Sequence, residues 1–124
     1  PAALEEDIRL LPYIENAMIY GEGKPFNVCL VIPDSVVLKR IAEQMHVKTD
    51  IEKLIHSPIV QEFMKLEIRK HLQEKYSPYE IPRKFLLVNE NFSIEAGTLT
   101  QTLKLKRIAV TEKYFDELEA LYNE

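Results

Sequence analysis

Tryptophan is absent from this 124-residue sequence, and cysteine, glycine and histidine are scarce, at one, three and three residues. Each scarcity excludes something. Cys29 has no partner for an internal disulfide, so apolar burial and hydrogen bonds must hold the fold, and a reducing, cytoplasmic setting is expected. His46, His56 and His71 share no metal-ligand spacing with one another or with Cys29, and no metal site is expected. Gly21, Gly23 and Gly97 all lie in turn-like surroundings, leaving no glycine-rich Ser/Thr loop to cradle nucleotide phosphates. No apolar run approaches the roughly 20 residues of a membrane-spanning helix, and no basic-then-apolar leader opens the sequence. Pro1 stands directly on a helical pattern, with the expectation that this is a piece of something longer.

What is present is ordinary material for one folded domain: 46% hydrophobic and 29% charged residues. The net charge of −4 is unevenly spread. Residues 1–64 carry −4, residues 65–107 carry +4 and residues 108–124 carry −4. The basic middle suits a face that meets phosphates or an acidic surface. A pI near 5.5 is too low for a typical nucleic-acid-binding domain.

The apolar pattern alternates between helical and strand periods. Leu4, Ile8 and Leu11 form one stripe of a helix from Ala2, with Glu5, Glu6 and Asp7 in its first turns and Pro12 as a stop. Ile14 to Tyr20 reads as a strand, Gly21 to Pro25 as a turn, and Phe26 to Ile32 as a second strand whose run Val28–Ile32 is buried on both faces. Val37, Leu38, Ile41 and Met45 mark a helix capped by Pro33-Asp34-Ser35. A short helical piece, Ile51 to Ile55, precedes Ser57-Pro58, a good N-cap and first helical position. Val60, Met64, Ile68 and Leu72 then define a long amphipathic helix to about Tyr76. Leu86 to Val88 is a third strand. Ile108 to Tyr122 is one last helix, with Ile108, Phe115, Leu118 and Tyr122 on one side. The expected class is α+β: a three-stranded sheet, hairpin plus one later strand, with four to five helices around it.

The stretch with the densest chemistry is Gly97 to Arg107, G-T-L-T-Q-T-L-K-L-K-R. Thr98, Thr100 and Thr102 alternate with Leu99, Gln101 and Leu103 at the strand period. In extended geometry Lys104 and Lys106 share one face, while Leu103 and Leu105 anchor the other to the core. T-L-T-Q-T-L-K-L-K-R resembles the C-terminal signature of the adenylate-forming enzymes, most of all the L-T-P-T-x-K-x-K-R of long-chain fatty acyl-CoA synthetases. Gln101 stands where that branch usually has proline, which loosens the loop and removes no charge. Two further passages are family-like: the G-E-G-K-P hairpin turn and Tyr79-Glu80-Ile81-Pro82-Arg83-Lys84-Phe85. The resemblance covers nearly all 124 residues.

That resemblance implies a mobile C-terminal lid domain, residues 1–124, of an ATP-dependent long-chain fatty acid–CoA ligase. It implies Lys104 as the catalytic lysine of adenylation, with Thr100, Thr102, Lys106 and Arg107 supporting its loop. Lys24, Arg69, Lys70 and Lys75 are candidates for the phosphates of coenzyme A. ATP with Mg2+ and coenzyme A are implied as substrates of the parent enzyme, with none bound by this domain alone. The nucleotide and acyl sites, the magnesium ligands and the hinge are expected in the N-terminal part of the same parent. The partners so implied are that N-terminal domain and the acyl-adenylate and coenzyme A at the interface, with no nucleic acid and with room for peripheral membrane contact by the parent. The isolated domain is expected to be inactive. Two other classes fit the outline: a non-catalytic protein-interaction domain, and an RNA-binding sheet module. The latter needs aromatic residues exposed on central strands, where this sequence offers mainly Ile, Val, Leu, Met and Cys.

Overall fold

The computed structural model describes residues 2–123, and its elements follow from where the apolar side chains can be buried. Helix α1 (Ala2–Arg9) leads to strands β1 (Ile14–Tyr20) and β2 (Val28–Pro33), then to helices α2 (Ser35–Gln44), α3 (Ile51–Leu54) and α4 (Pro58–Leu72). Strand β3 (Lys84–Leu87) and helices α5 (Arg107–Lys113) and α6 (Phe115–Ala120) complete the order. β1 and β2 form the expected antiparallel hairpin, and β3 runs parallel to β2 on its other side, giving the order β1-β2-β3.

β2 is the centre of the molecule. All six of its residues are buried, and their alternation feeds two different cores. Cys29 and Val31 point into a cluster with Leu4, Ile8, Met64, Ile68 and Leu72 of α1 and α4. Val28, Leu30 and Ile32 point the other way, to Val110 and Leu118 of α5 and α6. Each such aliphatic side chain contributes roughly 1.5–3 kcal/mol on burial, so the sheet needs helices on both faces. A third, smaller cluster joins Leu38, Ala42, Leu54 and Val60 beneath α2, α3 and the start of α4.

The helix boundaries have local causes. Asp34, Asp50 and Ser57 cap α2, α3 and α4 through their side-chain oxygens. α2 stops without glycine: His46 takes the left-handed conformation (φ 65°) and the Val47 N–H closes back on the Ala42 carbonyl.

Two expectations are corrected. The last helix is not continuous, because Tyr114 (φ −111°, ψ 20°) breaks it into α5 and α6. Tyr114 packs its ring edge-on against Phe92 and gives its hydroxyl to Glu90, so the break aims an aromatic side chain inward. The buried face is accordingly Val110, Tyr114, Leu118, Leu121 and Tyr122, while Ile108 and Phe115 are exposed. The third strand also begins earlier than read, at Lys84, and Val88 lies just past its end.

Candidate functional site

The Gly97–Arg107 stretch does not run on as an extended strand. It folds into a small hairpin in which Leu99 bridges Leu105, the Lys106 N–H donates to the Thr98 carbonyl (2.8 Å) and the Thr100 N–H to the Lys104 carbonyl (2.8 Å). The Leu103 N–H returns to the Thr100 carbonyl at 2.9 Å, and Leu103 itself is left-handed (φ 63°). This is the bonding pattern of a three-residue hairpin loop, Gln101-Thr102-Leu103, commonly a type I turn closed by a left-handed residue. Hence only one of the two leucines anchors the loop. Leu105 packs into the core beside Val110, whereas Leu103 is exposed, because its left-handed backbone turns the chain at that point.

Several contacts fix this hairpin to the free edge of β1. Asn16 is buried there, next to a bulge at Glu15 that shifts the pairing between Ile14 and Asn16. Its Nδ2 donates to the Leu103 carbonyl (3.1 Å) and its Oδ1 accepts from the Ala17 N–H (3.0 Å). Further along, Ile19 offers an edge N–H and carbonyl that no strand pairs. Glu5 of α1 accepts the N–H at 2.6 Å and Arg107 donates to the carbonyl at 2.6 Å. One terminal nitrogen of Arg107 also reaches both Glu5 oxygens, at 3.0 and 2.8 Å. α1, β1 and the hairpin are thereby stapled together, and the sheet edge is blunted.

Lys104 sits at the C-terminal side of the loop with its side chain half-exposed, its Nζ 3.1 Å from Glu6 Oε1. Arg9 meets the same carboxylate oxygen at 3.5 Å. The Lys104 N–H donates to Thr100 Oγ1 (3.1 Å), which is also 3.1 Å from Thr102 Oγ1. Lys106 is exposed and occupies the cap position of α5 without a side-chain capping bond. A cleft of about 230 Å³ opens beside Lys104, lined by Glu5, Glu6, Arg9, Thr100 and Arg107 among others. Of the five loop residues singled out from sequence, Thr100, Lys104 and Arg107 line this cleft. Glu5, Glu6, Arg9 and Asn16 were not singled out. The acidic residues read as dipole partners of a helix start, and Asn16 as one more residue in a strand; only the three-dimensional meeting of residues about 90–100 apart reveals their roles.

The four basic residues suggested for coenzyme A are scattered. Lys24 pairs with Glu119 (2.5 Å) and lies over the Tyr122 ring. Lys75 pairs with Asp7 (3.1 Å) and lies over the Tyr76 ring. Arg69 and Lys70 are exposed on α4, with Arg69 beside a depression of about 280 Å³ shared with Tyr76, Pro78 and Arg83. Among the described residues no group of three His, Cys, Asp or Glu side chains could hold a metal ion, and no helix is long and apolar enough to cross a membrane.

All 124 residues match the family model described as the AMP-binding enzyme C-terminal domain. The chain belongs to this family. Among curated proteins, the domain is 32% identical to the long-chain-fatty-acid–CoA ligase FadD15 of Mycobacterium tuberculosis, over 99% of this chain and 21% of the relative. It is also 32% identical to long chain acyl-CoA synthetase 8 of Arabidopsis thaliana, over 89% of this chain and 16% of the relative. The domain thus spans about a fifth or less of the length of these relatives. Its fold is that of a stretch within the A-PCP didomain of carboxylic acid reductase from Segniliparus rugosus, solved in complex with AMP. That likeness has a TM-score of 0.77 at 24% identity and covers 98% of this chain and 15% of the other. Neither the interaction-only reading nor the RNA-binding one gains support from these matches.

Proposed function

We propose that this domain is the mobile C-terminal lid of a longer, cytoplasmic, ATP-dependent long-chain fatty acid–CoA ligase, and that Lys104 is its adenylation lysine. The carrying observation is the placement of Lys104: a half-exposed ammonium on a loop whose backbone is bonded to β1, over an open cleft.

In the first half-reaction a carboxylate oxygen of the fatty acid attacks the α-phosphorus of ATP and the bond to pyrophosphate breaks. Two anions approach each other, so catalysis consists mainly of positioning and of neutralising charge that builds on phosphorus. An ammonium on a four-carbon stem can reach from this domain into a neighbouring one and bridge both groups. Its present partner is no obstacle. A half-exposed pair such as Lys104–Glu6 is worth only about 0–1 kcal/mol, and phosphate oxygens in a water-poor interface replace that carboxylate readily. In the second half-reaction the thiol of coenzyme A attacks the acyl carbonyl and AMP leaves. For this step the domain turns, and Arg69 and Lys70, which make no ion pair among the described residues, with Lys24 and Lys75 if they exchange their present acidic partners, supply contacts to the coenzyme A phosphates. ATP with its magnesium, the acyl chain and the hinge are assigned to the larger N-terminal part, the partner of this domain. Thr100 and Thr102 shape the loop, Arg107 staples it, and Lys106 meets the partner surface.

The test is Lys104→Ala in the full-length enzyme, assayed as separate half-reactions. ATP–pyrophosphate exchange with a long-chain fatty acid should fall by about two orders of magnitude, as for loss of one oxyanion-hole donor, while thioester formation from preformed acyl-adenylate stays largely intact. Exchange at the wild-type rate would remove Lys104 from catalysis.

A further inference from the structure

The peptide bond entering Lys104 is held on both sides. Its oxygen, the Leu103 carbonyl, accepts from Asn16 Nδ2 at 3.1 Å, and its N–H donates to Thr100 Oγ1 at 3.1 Å. A peptide unit is planar, so fixing both ends places the Lys104 Cα, and because the Lys104 carbonyl is also held, by the Thr100 N–H at 2.8 Å, the direction in which its Cα–Cβ bond leaves the loop is set. The two clamps differ in kind. Thr100 belongs to the hairpin and moves with it, whereas Asn16 belongs to the sheet, 87 residues away in sequence, and is only 7% exposed. Asn16 is in turn held by its own neighbour, the Ala17 N–H, and it stands beside the one irregularity in the β1–β2 pairing. The held residue is also a costly one. A leucine at φ 63° is about 1–2 kcal/mol above its right-handed alternatives, so Leu103 keeps this conformation only while its surroundings insist on it.

We propose that Asn16 is a positioning residue for adenylation: through the Leu103 carbonyl it transmits the geometry of the sheet to the Lys104 side chain. The inference rests on the reading of Lys104 as the adenylation lysine. Asn16 touches no substrate. Its effect falls on how often the ammonium stands where the phosphate and carboxylate oxygens need it, and displacements near 1 Å at such a group can cost about a hundredfold in rate.

The test uses Asn16→Asp and Asn16→Ala in the full-length enzyme. The aspartate keeps the acceptor for the Ala17 N–H and nearly the same shape, and replaces the donor to Leu103 by an oxygen that repels its carbonyl. The alanine removes both bonds without adding charge and carries the test if a carboxylate at this site prevents folding. Both variants are expected to lower kcat for ATP–pyrophosphate exchange about tenfold or more at saturating ATP and fatty acid. Their KM values stay within about threefold, and thioester formation from preformed acyl-adenylate stays within about twofold. Adding either change to Lys104→Ala should lower exchange no further, since a positioned group that is already gone cannot be mispositioned. Equal losses in both half-reactions would reduce Asn16 to a structural part and overturn the proposal. So would unchanged exchange in both variants while Lys104→Ala still abolishes it. If Lys104→Ala itself leaves exchange intact, the reading of Lys104 has failed first and the inference falls with it.

Discussion

At the scale of single residues, the loop before Lys104 explains a peculiarity of its own sequence. Gln101 follows Thr100, whose carbonyl accepts the turn-closing bond from Leu103, and it therefore occupies the second position of the turn, where proline's fixed φ fits a type I geometry. Among the described hydrogen bonds its N–H is not used as a donor. Gln101→Pro should thus be accepted and should stabilise the domain by about 0.4–1 kcal/mol, chiefly by restricting the unfolded chain, as read by urea or thermal unfolding. A destabilised variant would show that the turn is of another type. Lys104 was singled out in the sequence by its motif, and the structure places it half-exposed beside a cleft. The hairpin was not legible, because alternating Thr and Leu satisfy a strand period whether or not the chain reverses. The left-handed Leu103 carries no signal at all, since that position is usually marked by glycine or asparagine. The roles of Asn16 and Glu6 depend on contacts with the Gly97–Arg107 stretch that no local pattern encodes.

Between elements, carboxylates do much of the fastening, and each ties a helix or loop to something distant in sequence. Asp7 of α1 accepts from the Tyr76 hydroxyl at 2.6 Å and pairs with Lys75; the tyrosine bond first, and the lysine next, hold its carboxyl below the usual carboxylate range. The same bond pushes the Tyr76 hydroxyl up to about 12. Glu119 of α6 is lowered by its bonds from Lys24 and then Tyr20, fastening the C-terminal helix to the β1–β2 hairpin. For Glu90, burial pushes upward, but bonds from Lys113 and Tyr114 outweigh it and leave the group lowered. Carboxyls with depressed folded pKa values stabilise the fold fully above their unfolded values near 4, and that contribution fades as pH falls through the lower, folded values. The thermal midpoint should therefore drop below about pH 4, and Asp7→Asn with Glu119→Gln should flatten that dependence while lowering stability at neutral pH. A midpoint as pH-sensitive in the double variant as in the parent would locate acid sensitivity elsewhere. The strands and the long helix were readable because β1 and β2 flank a Gly/Pro-marked turn, β2 is one continuous apolar run, and α4 buries a single stripe of Val60, Met64, Ile68 and Leu72. The last helix was read as unbroken because Ile108 and Phe115 imitate a buried stripe, whereas the break at Tyr114 arises from tertiary packing on Phe92 and Glu90.

For the molecule as a whole, the proposed division of labour predicts silence in isolation. The described residues offer a lysine, a staple and two packed cores, but no metal-binding cluster. The 124-residue domain alone should unfold cooperatively and show no turnover of ATP above background with fatty acid and coenzyme A present. Measurable pyrophosphate release by the pure domain would place a complete site within it and contradict the proposed partition. The residues of the cleft beside Lys104 come from α1, β1 and the Gly97–Arg107 stretch, which the Glu5–Arg107 staple ties together.

That staple has a consequence for motion. If the domain turns as the proposed lid, its business end must not lag behind its body. Arg107 lies three residues from Lys104, and its guanidinium grips the outer margin of the sheet at Ile19 and the first helix at Glu5. The Lys104 ammonium is therefore carried on a short tether from a fixed point. In the proposed turning motion, a push on α1 would be passed to the lysine through that tether, much as a key bit follows the bow.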